Sequence, residues 1–260
     1  MKTKAWPALF LAVLLCVCAA KATSLEVESE AVPTAEDLPR AEALAIAMEQ
    51  LAARADVLAP AGENLYDFPL YGIEDRALEH WETFVTLADG SAAWIVSFAP
   101  ADLPVFAGAV TVASPGGEVL EAVLGEESAL TKRWEAERGP RWFWSLEDRA
   151  LYDRLYVSTS MSVSVLPEEG DLPQEEALAI ARKAIAQACG IRAETLDQEY
   201  RLDMELCLCS LQSAEKERVW NVCFRQLNPQ SGNWDLCYWA DILADDGTVY
   251  QAGDNAGGNG

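Results

Sequence analysis

Apolar and polar residues follow two periods along the chain, and these periods occur in the same order twice. Apolar residues recur at helical spacing over residues 44–51 and again over residues 177–188. Each stretch is followed by segments in which apolar and polar residues alternate one by one, which is typical of half-buried strands. The pattern predicts an α+β fold of two tandem units, each a helix packed on an antiparallel sheet of about four strands, joined by a partly helical connector.

A repeated sequence marks the start of each unit. Residues 37–47 read Asp-Leu-Pro-Arg-Ala-Glu-Ala-Leu-Ala-Ile-Ala and residues 171–181 read Asp-Leu-Pro-Gln-Glu-Glu-Ala-Leu-Ala-Ile-Ala, so nine of eleven positions are identical. Further along, the strand pattern Trp94–Phe98 is matched by Trp220–Phe224, and a glycine turn follows in both cases. An internal match in this order predicts two copies of one unit.

The same signals divide the chain into six segments. Residues 1–22 combine a basic start, an apolar run too short to span a bilayer and small residues at Ala20 and Ala22, which predicts a cleaved signal peptide. We therefore expect a secreted or extracytoplasmic protein of the cell envelope. The other predicted segments are a flexible lead-in (23–36), the first unit (37–124), a connector with helices (125–170), the second unit (171–251) and a disordered tail (252–260).

Capping residues place several ends of helices. Ser145 followed by Asp148 predicts the start of one connector helix, and an earlier connector helix is predicted over Glu127–Arg138. Gly190 predicts the end of the helix in the second unit. Residues 158–165 alternate serine with methionine and valine, which permits either a short strand or a mobile link.

The charge balance narrows the class of partner. The formal net charge of the chain is −23 at pH 7. Such a chain repels phosphate backbones and anionic lipid headgroups, which argues against nucleic acid, and against a membrane once the signal peptide is removed. Basic partners and divalent cations are compatible with this charge, although a soluble, self-repelling surface is the simpler interpretation.

Cysteines occur after the predicted cleavage site only in the second unit, at Cys189, Cys207, Cys209, Cys223 and Cys237. An odd number cannot pair completely within one chain. If residues 213–216 close a hairpin, Cys207 lies near Cys223 on the facing strand, so this pair is the candidate disulfide. Cys207, Cys209 and Cys223 could instead bind a thiophilic metal, but no histidine or Cys-x-x-Cys spacing supports it, and we predict core or disulfide use.

Residues for catalysis are scattered along the sequence. His80, the single histidine, lies in an alternating strand and is interpreted as a sheet residue and not as a base. Residues 213–216 have the Ser-x-x-Lys spacing of some acyl-transfer enzymes, but they lie in a predicted turn. Asp241, Asp245 and Asp246 lack the alternating spacing of a calcium loop. We therefore predict a non-enzymatic protein with no catalytic, cofactor-binding or metal residues and no cofactor.

The repeated motifs resemble the PepSY-type domains of exported bacterial proteins, in which a helix of the form Glu-Ala-Leu-x-Ile-Ala precedes a Trp-x-Val-x-Phe strand and a hairpin closing on Gly-x-Val. These elements are Glu42–Ala47, Trp94–Phe98 and Gly117–Val119, and again Glu176–Ala181, Trp220–Phe224 and Gly247–Val249. The resemblance implies a helix on an antiparallel sheet and a role in restraining peptidases, as in propeptides, or in other envelope interactions. It brings no catalytic residues.

The predicted function is that of an exported protein-binding module with a protein partner, such as a secreted peptidase that it restrains or inhibits. Trp142, Phe143 and Trp144 are candidate interaction residues because exposed aromatics anchor protein interfaces. Packing of the connector on a neighbouring sheet is the more common use of such residues. The alternative function is a structural or sensory envelope component with no enzyme partner, and a third hypothesis is a hydrolase that uses acidic residues.

Overall fold

The structure is a computed structural model, and it describes residues 25–54, 78–101, 106–125, 127–158, 162–211 and 215–255. Its strands are β1 (Val27–Glu30), β2 (Leu78–Leu87), β3 (Ala92–Pro100), β4 (Gly108–Ser114), β5 (Val119–Leu124), β6 (Val163–Ser164), β7 (Arg201–Cys209), β8 (Glu217–Leu227), β9 (Trp234–Leu243) and β10 (Val249–Asp254). Its helices are α1 (Arg40–Arg54), α2 (Glu127–Arg138), α3 (Leu146–Tyr156), α4 (Gln174–Cys189) and α5 (Ala193–Glu199), with a 3-10 turn at Arg141–Phe143.

The strands of the described residues form two antiparallel five-stranded sheets, so the predicted α+β class is confirmed. The strand order is β1-β2-β3-β4-β5 in the first sheet and β10-β9-β8-β7-β6 in the second. Helix α1 packs on one face of the first sheet, and helix α4 packs on the corresponding face of the second. Each helix buries an alanine-rich stripe against the sheet, which lets the helix backbone lie close to the strands.

The repeated motif builds the same contact in both units. The indole Nε1 of Trp94 donates a hydrogen bond to the carbonyl of Leu38 at 2.7 Å, and Trp220 Nε1 donates to the carbonyl of Leu172 at 2.9 Å. The leucine precedes the proline that starts the helix, so this bond ties the entry of the helix to the central strand. The motif therefore encodes the core of each unit.

The connector covers the second face of the first sheet. Leu130 and Trp134 of α2 and Leu155 of α3 pack with Val85 and Ile95 of the sheet in one buried apolar cluster. On the same helix α3, buried polar side chains contact the second sheet. Helix α3 therefore links the two units, with an apolar side toward the first sheet and a polar side toward the second.

Several predicted elements agree with the structure, and some do not. The helices at Glu127–Arg138 and after Ser145 are confirmed, as is the helix end at Gly190, which has a left-handed φ of 68°. Each sheet has one strand more than predicted. Strand β1 lies in the predicted flexible lead-in, where Val27 packs against the connector, and β6 lies in residues 158–165, where a short strand was one of the two predicted alternatives.

The predicted tail also needs correction, because β10 continues through Asp254 by pairing with β9. Helix α5 carries a single fully buried residue, Leu196, and its sequence gives too short a periodic signal to predict a helix. The predicted signal peptide, residues 1–22, lies outside the described residues. Across the ranges that the structure describes, no helix is long and apolar enough to cross a membrane.

Candidate functional site

A cleft of about 730 Å³ lies where the two units meet. This volume is within the range of binding sites for small molecules and short chain segments. The lining of the cleft comes from the end of β1 and from β2 in the first sheet, from α3, and from β6 of the second sheet with the segment after it. The residues of the cleft therefore come from three parts of the chain that are distant in sequence.

The cleft lies at edges of both sheets. Strand β1 pairs with only the second half of β2, from Val85 to Leu87, and Ala31 adds one backbone hydrogen bond to Phe84 at 2.9 Å. Residues 78–83 of β2 thus extend beyond the end of β1, and Pro33, which lines the cleft, has no amide hydrogen to continue the pairing. Strand β6 is the outermost strand of the second sheet. Among the described residues, the cleft is therefore bordered by the half-edge of β2 that β1 does not cover and by the two-residue edge strand β6.

A buried carboxylate lies at the β2 side of the cleft. The side chain of Glu82 is 0% exposed, and its Oε2 accepts a hydrogen bond from Arg40 Nε at 2.8 Å. Its other oxygen lies 2.7 Å from His80 Nδ1. These contacts offset the cost of burying the charge. His80 thus serves as a partner of Glu82 on the sheet.

Charges around the cleft are mainly negative. Of the described residues that line it, four are carboxylates and two are arginines, namely Glu30, Glu82, Asp153, Glu168, Arg40 and Arg154. The two arginines pair with Glu82 and Glu30, and the other two carboxylates pair with arginines outside the lining, Arg141 and Arg218. The side chain of Glu168 is 75% exposed and pairs with Arg218 only at 3.3 Å. A cationic ligand therefore matches the lining better than an anionic one does.

The β6 side of the cleft is held by a buried carboxylate of α3. Asp153 Oδ2 accepts a hydrogen bond from the backbone N–H of Ser164 at 2.6 Å, and Asp153 Oδ1 lies 2.8 Å from Arg141 Nη1. Burial alone lowers the pKa of the Arg141 guanidinium, but its hydrogen bond and ion pair with Asp153 and the charge of Glu205 outweigh burial, so the pKa is raised. Arg141 therefore stays protonated and keeps Asp153 in place.

A second ionic cluster joins α3 to the polar face of the second sheet. Arg149, which is 4% exposed, lies 2.8 Å from Asp203 Oδ1 and 3.4 Å from Glu205 Oε2. Arg225 Nε donates to the other oxygen of Asp203 at 2.7 Å. Ion pairs of this kind add specificity more reliably than net stability, because each charge loses its water. The cluster fixes the position of α3 relative to the second sheet and so helps to define the cleft.

The candidate disulfide between Cys207 and Cys223 is not present, since both residues are free thiols. The register pairs Cys207 with Val219 and Cys223 with Asp203, so the two cysteines are four rungs apart along the ladder, about 13 Å. A disulfide needs Cα atoms closer than about 7 Å. The prediction placed the two residues on facing strands correctly but assumed the wrong register.

The buried thiols of the second sheet, Cys207 and Cys223, are held in the protonated, unreactive form. Burial raises the pKa of Cys223 to about 12, and burial also raises the pKa of Cys207. A thiolate is the form that binds metals and attacks electrophiles. Among the described residues, no group of three or more His, Cys, Asp or Glu side chains is arranged to hold a metal ion.

The three candidate interaction aromatics lie between the connector and the sheets. Trp144 is buried against Trp134, with 5.5 Å between ring centroids. Phe143 contacts Trp234 of the second sheet edge-on at 6.2 Å, and Trp142 lies 5.4 Å from the guanidinium of Arg225. These contacts are the packing use that the sequence also allowed. A role for Trp142 or Phe143 in partner binding stays a prediction.

Of the other residues that the sequence analysis considered, Asp241 and Asp246 have hydrogen-bond partners within the fold, and Ser213 lies outside the described residues. Asp241 accepts hydrogen bonds from Asn221 Nδ2 at 2.7 Å and from Gln251 Nε2 at 2.6 Å. Asp246 accepts one from the backbone N–H of Thr248 at 2.8 Å, as in a turn. Residues 212–214, which include the start of the Ser-x-x-Lys spacing, lie outside the described residues.

The cleft itself was missed by the sequence-based predictions. Its residues include Glu30 in the predicted lead-in and the segment 163–168 in the predicted connector. Neither segment carries a motif, and their proximity follows from the packing of the two units. Pro33 lies just after β1, and a proline at this place in the sequence is a signal that a strand ends before it.

Comparison of the chain with known protein families finds no family whose model matches it, and comparison with curated proteins finds none that is similar. The likeness to PepSY-type domains therefore rests on the motif residues alone.

Proposed function

We propose that the chain is an exported, non-enzymatic protein-binding module of two PepSY-like units, each a helix on a core of four strands, and that it holds a segment of a partner protein in the cleft where the units meet. The partner is a secreted peptidase, which the module restrains or inhibits. The observation that carries this proposal is the cleft of about 730 Å³ bordered by edges of both sheets. Edges of sheets are common docking sites for extended segments of other proteins.

The composition of the cleft supports a protein partner. Apolar side chains from Val157, Val163 and Val165 lie among the charged residues that line it, and Leu166 presents a side chain that is 41% exposed. Protein interfaces combine an apolar centre with a polar rim in this way. A partner segment would bury this apolar surface and leave the exposed Glu168 at the margin of the contact.

The experiment is a titration of the purified chain, without residues 1–22, against the total peptidase activity secreted by the organism that makes it. We expect saturable inhibition. Leu166→Arg should raise the concentration needed for half inhibition by about tenfold or more, because it places a charge on the apolar margin of the cleft.

Leu227→Arg is the matched control. Leu227 is 48% exposed at the end of β8 and does not line the cleft. We expect this variant to inhibit as the unchanged chain does. An intact chain that leaves every secreted peptidase fully active would contradict the proposal and would favour a structural or sensory envelope component. Equal loss of inhibition in both variants would contradict the assignment of binding to the cleft.

A further inference from the structure

The half-edge of β2 that β1 does not cover borders the cleft at Trp81, Glu82 and Thr83 and continues beyond the cleft to Leu78. The N–H of Ala31 donates to the carbonyl of Phe84, and the N–H of Ala88 donates to the carbonyl of Glu26 at 2.8 Å, so even-numbered residues here direct their backbone groups toward β1. Backbone direction alternates along an antiparallel strand. His80 and Glu82 therefore direct their N–H and C=O groups away from β3, at positions that β1 does not reach.

The exposure of Glu82 agrees with backbone groups that point away from β3 and toward solvent. The residue retains partial exposure to solvent although its side chain is 0% exposed, so its accessible atoms belong to the main chain. In the part of the chain that the structure describes, β1 and β3 are the strands paired with β2. Exposed edge groups of this kind form hydrogen bonds readily with an added strand.

The edge of β6, in the second sheet, differs from that of β2, because its outward-facing backbone N–H is already bound by a side chain. The N–H of Val165 donates to the carbonyl of Leu206 in β7 at 2.8 Å, so the N–H of Ser164 is the one that faces away from the sheet. That group is already bound by Asp153, which is 3% exposed and is held by Arg141. An added strand would have to displace a buried charged side chain from β6, whereas among the described residues no strand is paired with the edge of β2 at residues 78–83.

We infer that the partner contributes an extended, cationic strand that pairs with residues 78–83 of β2, in line with β1. This inference rests on the proposed function and specifies the chemistry of its ligand. The open part of β2 admits a strand of about six residues. The acidic lining favours lysine or arginine on the strand, and the apolar side chains of the cleft favour valine or leucine between them.

The probe is the acetylated, amidated peptide Lys-Val-Lys-Val-Lys-Val with a fluorescent label, and binding to the chain without residues 1–22 is followed by fluorescence anisotropy. Two derivatives are N-methylated, one at every lysine amide and one at every valine amide. In a paired strand, alternate amides face the partner edge, so only one methylation pattern removes the pairing. We expect one derivative to bind about tenfold or more weakly and the other to bind within about twofold of the parent peptide.

Two further results test the chemistry of the ligand. The peptide Glu-Val-Glu-Val-Glu-Val should not bind at the same concentrations. Glu168→Gln should weaken binding of the lysine peptide by about two- to fivefold, because an exposed ion pair contributes little but measurable energy. Glu49→Gln is the matched control, since Glu49 is an exposed acid of α1 that does not line the cleft, and it should leave binding unchanged.

Other outcomes separate this inference from the proposed function. Equal binding of both methylated peptides, or equal loss of binding by both, would overturn pairing with one strand edge. If the chain inhibits a peptidase and Leu166→Arg relieves the inhibition, but no lysine peptide binds, the inference is overturned and the proposed function stands. If neither inhibition nor peptide binding is found, both are overturned.

Discussion

The two sheets present similar faces to their own helices and opposite chemistry on their other faces. On the second face of the first sheet, Ile95 and Val85 belong to one buried apolar cluster. Asn221 occupies the corresponding position of the second sheet, directly after the motif tryptophan. Its side chain donates a hydrogen bond to Asp241. The Trp-x-Val-x-Phe motif specifies the helix side of each strand, and the residues between the motif positions are free to differ.

This difference gives the connector two kinds of contact. Leu155 and Tyr156 of α3 are buried in the apolar cluster of the first sheet, whereas Arg149 on the same helix is buried among acids of the second. Apolar burial stabilises in proportion to area, while a buried ion pair contributes little net energy and strong geometric preference. The connector is therefore an integral part of the first unit and a positioning element for the second.

Of the changes that test this difference between the two faces, expression of each unit on its own should have the largest effect. Residues 23–124 expressed alone would expose Val85, Ile95 and their apolar neighbours, so we expect aggregation or strong binding of a hydrophobic dye. Residues 171–255 expressed alone would expose a mixed face, in which Asp203 and Asn221 lie among Val219 and Cys223, so the exposed apolar surface is smaller than in the first unit. We expect this unit to be soluble and folded by circular dichroism.

Addition of the connector is the control for the first unit. Residues 23–158 should remain soluble and bind little dye, because α2 and α3 then cover the apolar face. A disordered spectrum from residues 171–255 would contradict the view that the second unit is complete without the connector. Equal dye binding by both isolated units would contradict the assigned difference between the two faces.

An exchange of single residues between the faces should have an intermediate effect. Ile95 is 1% exposed, and Ile95→Asn would remove its apolar contacts and bury an amide between Thr83 and Thr111, at an expected cost of about 3 kcal/mol in the free energy of unfolding. Asn221 is only half-buried, and Asp241 keeps its bond from Gln251 without it. Asn221→Ile should therefore cost about 1 kcal/mol. Urea unfolding of both variants measures the two values.

Similar losses of unfolding free energy for both substitutions would show that the two faces tolerate polar residues equally. This result would contradict the assigned difference between them. A folded state of Ile95→Asn with nearly unchanged stability would show that water or the neighbouring hydroxyls of Thr83 and Thr111 satisfy the amide. Since the same chemical groups are exchanged in opposite directions, the difference between the two costs reports on their surroundings.

The core of each unit was predictable from sequence because its signals are local. The alternation around Trp94 and Trp220, the prolines that start α1 and α4 and the turn at Gly190 each specify geometry within a few residues. Strand β1 was missed because it is four residues long with one buried side chain, Val27. Its pairing with β2 outweighs a local composition that favours a flexible segment.

The cleft could not be predicted, because its geometry depends on contacts between distant residues. Glu82 is buried by Arg40, and Asp153 is placed beside Ser164 by the packing of α3. No periodicity or spacing in the sequence encodes these pairs. The register error for Cys207 and Cys223 has a related cause, since the register of a hairpin depends on the geometry of its turn.

The smallest expected effect compares the two aspartates that begin the repeated motif. Hydrogen bonds from the backbone and side chain of Thr34 and from Ser114 lower the pKa of Asp37. Hydrogen bonding to Arg218, together with its charge, lowers the pKa of Asp171. A carboxyl group whose pKa is lower in the folded state stabilises the fold above its unfolded pKa, and this contribution is lost as the pH falls through the folded value.

Salt should separate the two cases. At about 1 M NaCl the attraction between Asp171 and Arg218 is screened, so the pKa of Asp171 should rise toward its ordinary value. Asp37 is bound by neutral donors, so its pKa should change less. Carboxyl carbon shifts followed by NMR from pH 5 downward at low and high salt measure both values. An equal response to salt would mean that Arg218 stabilises Asp171 only as a hydrogen-bond donor, and that the two units anchor their helices by the same chemistry.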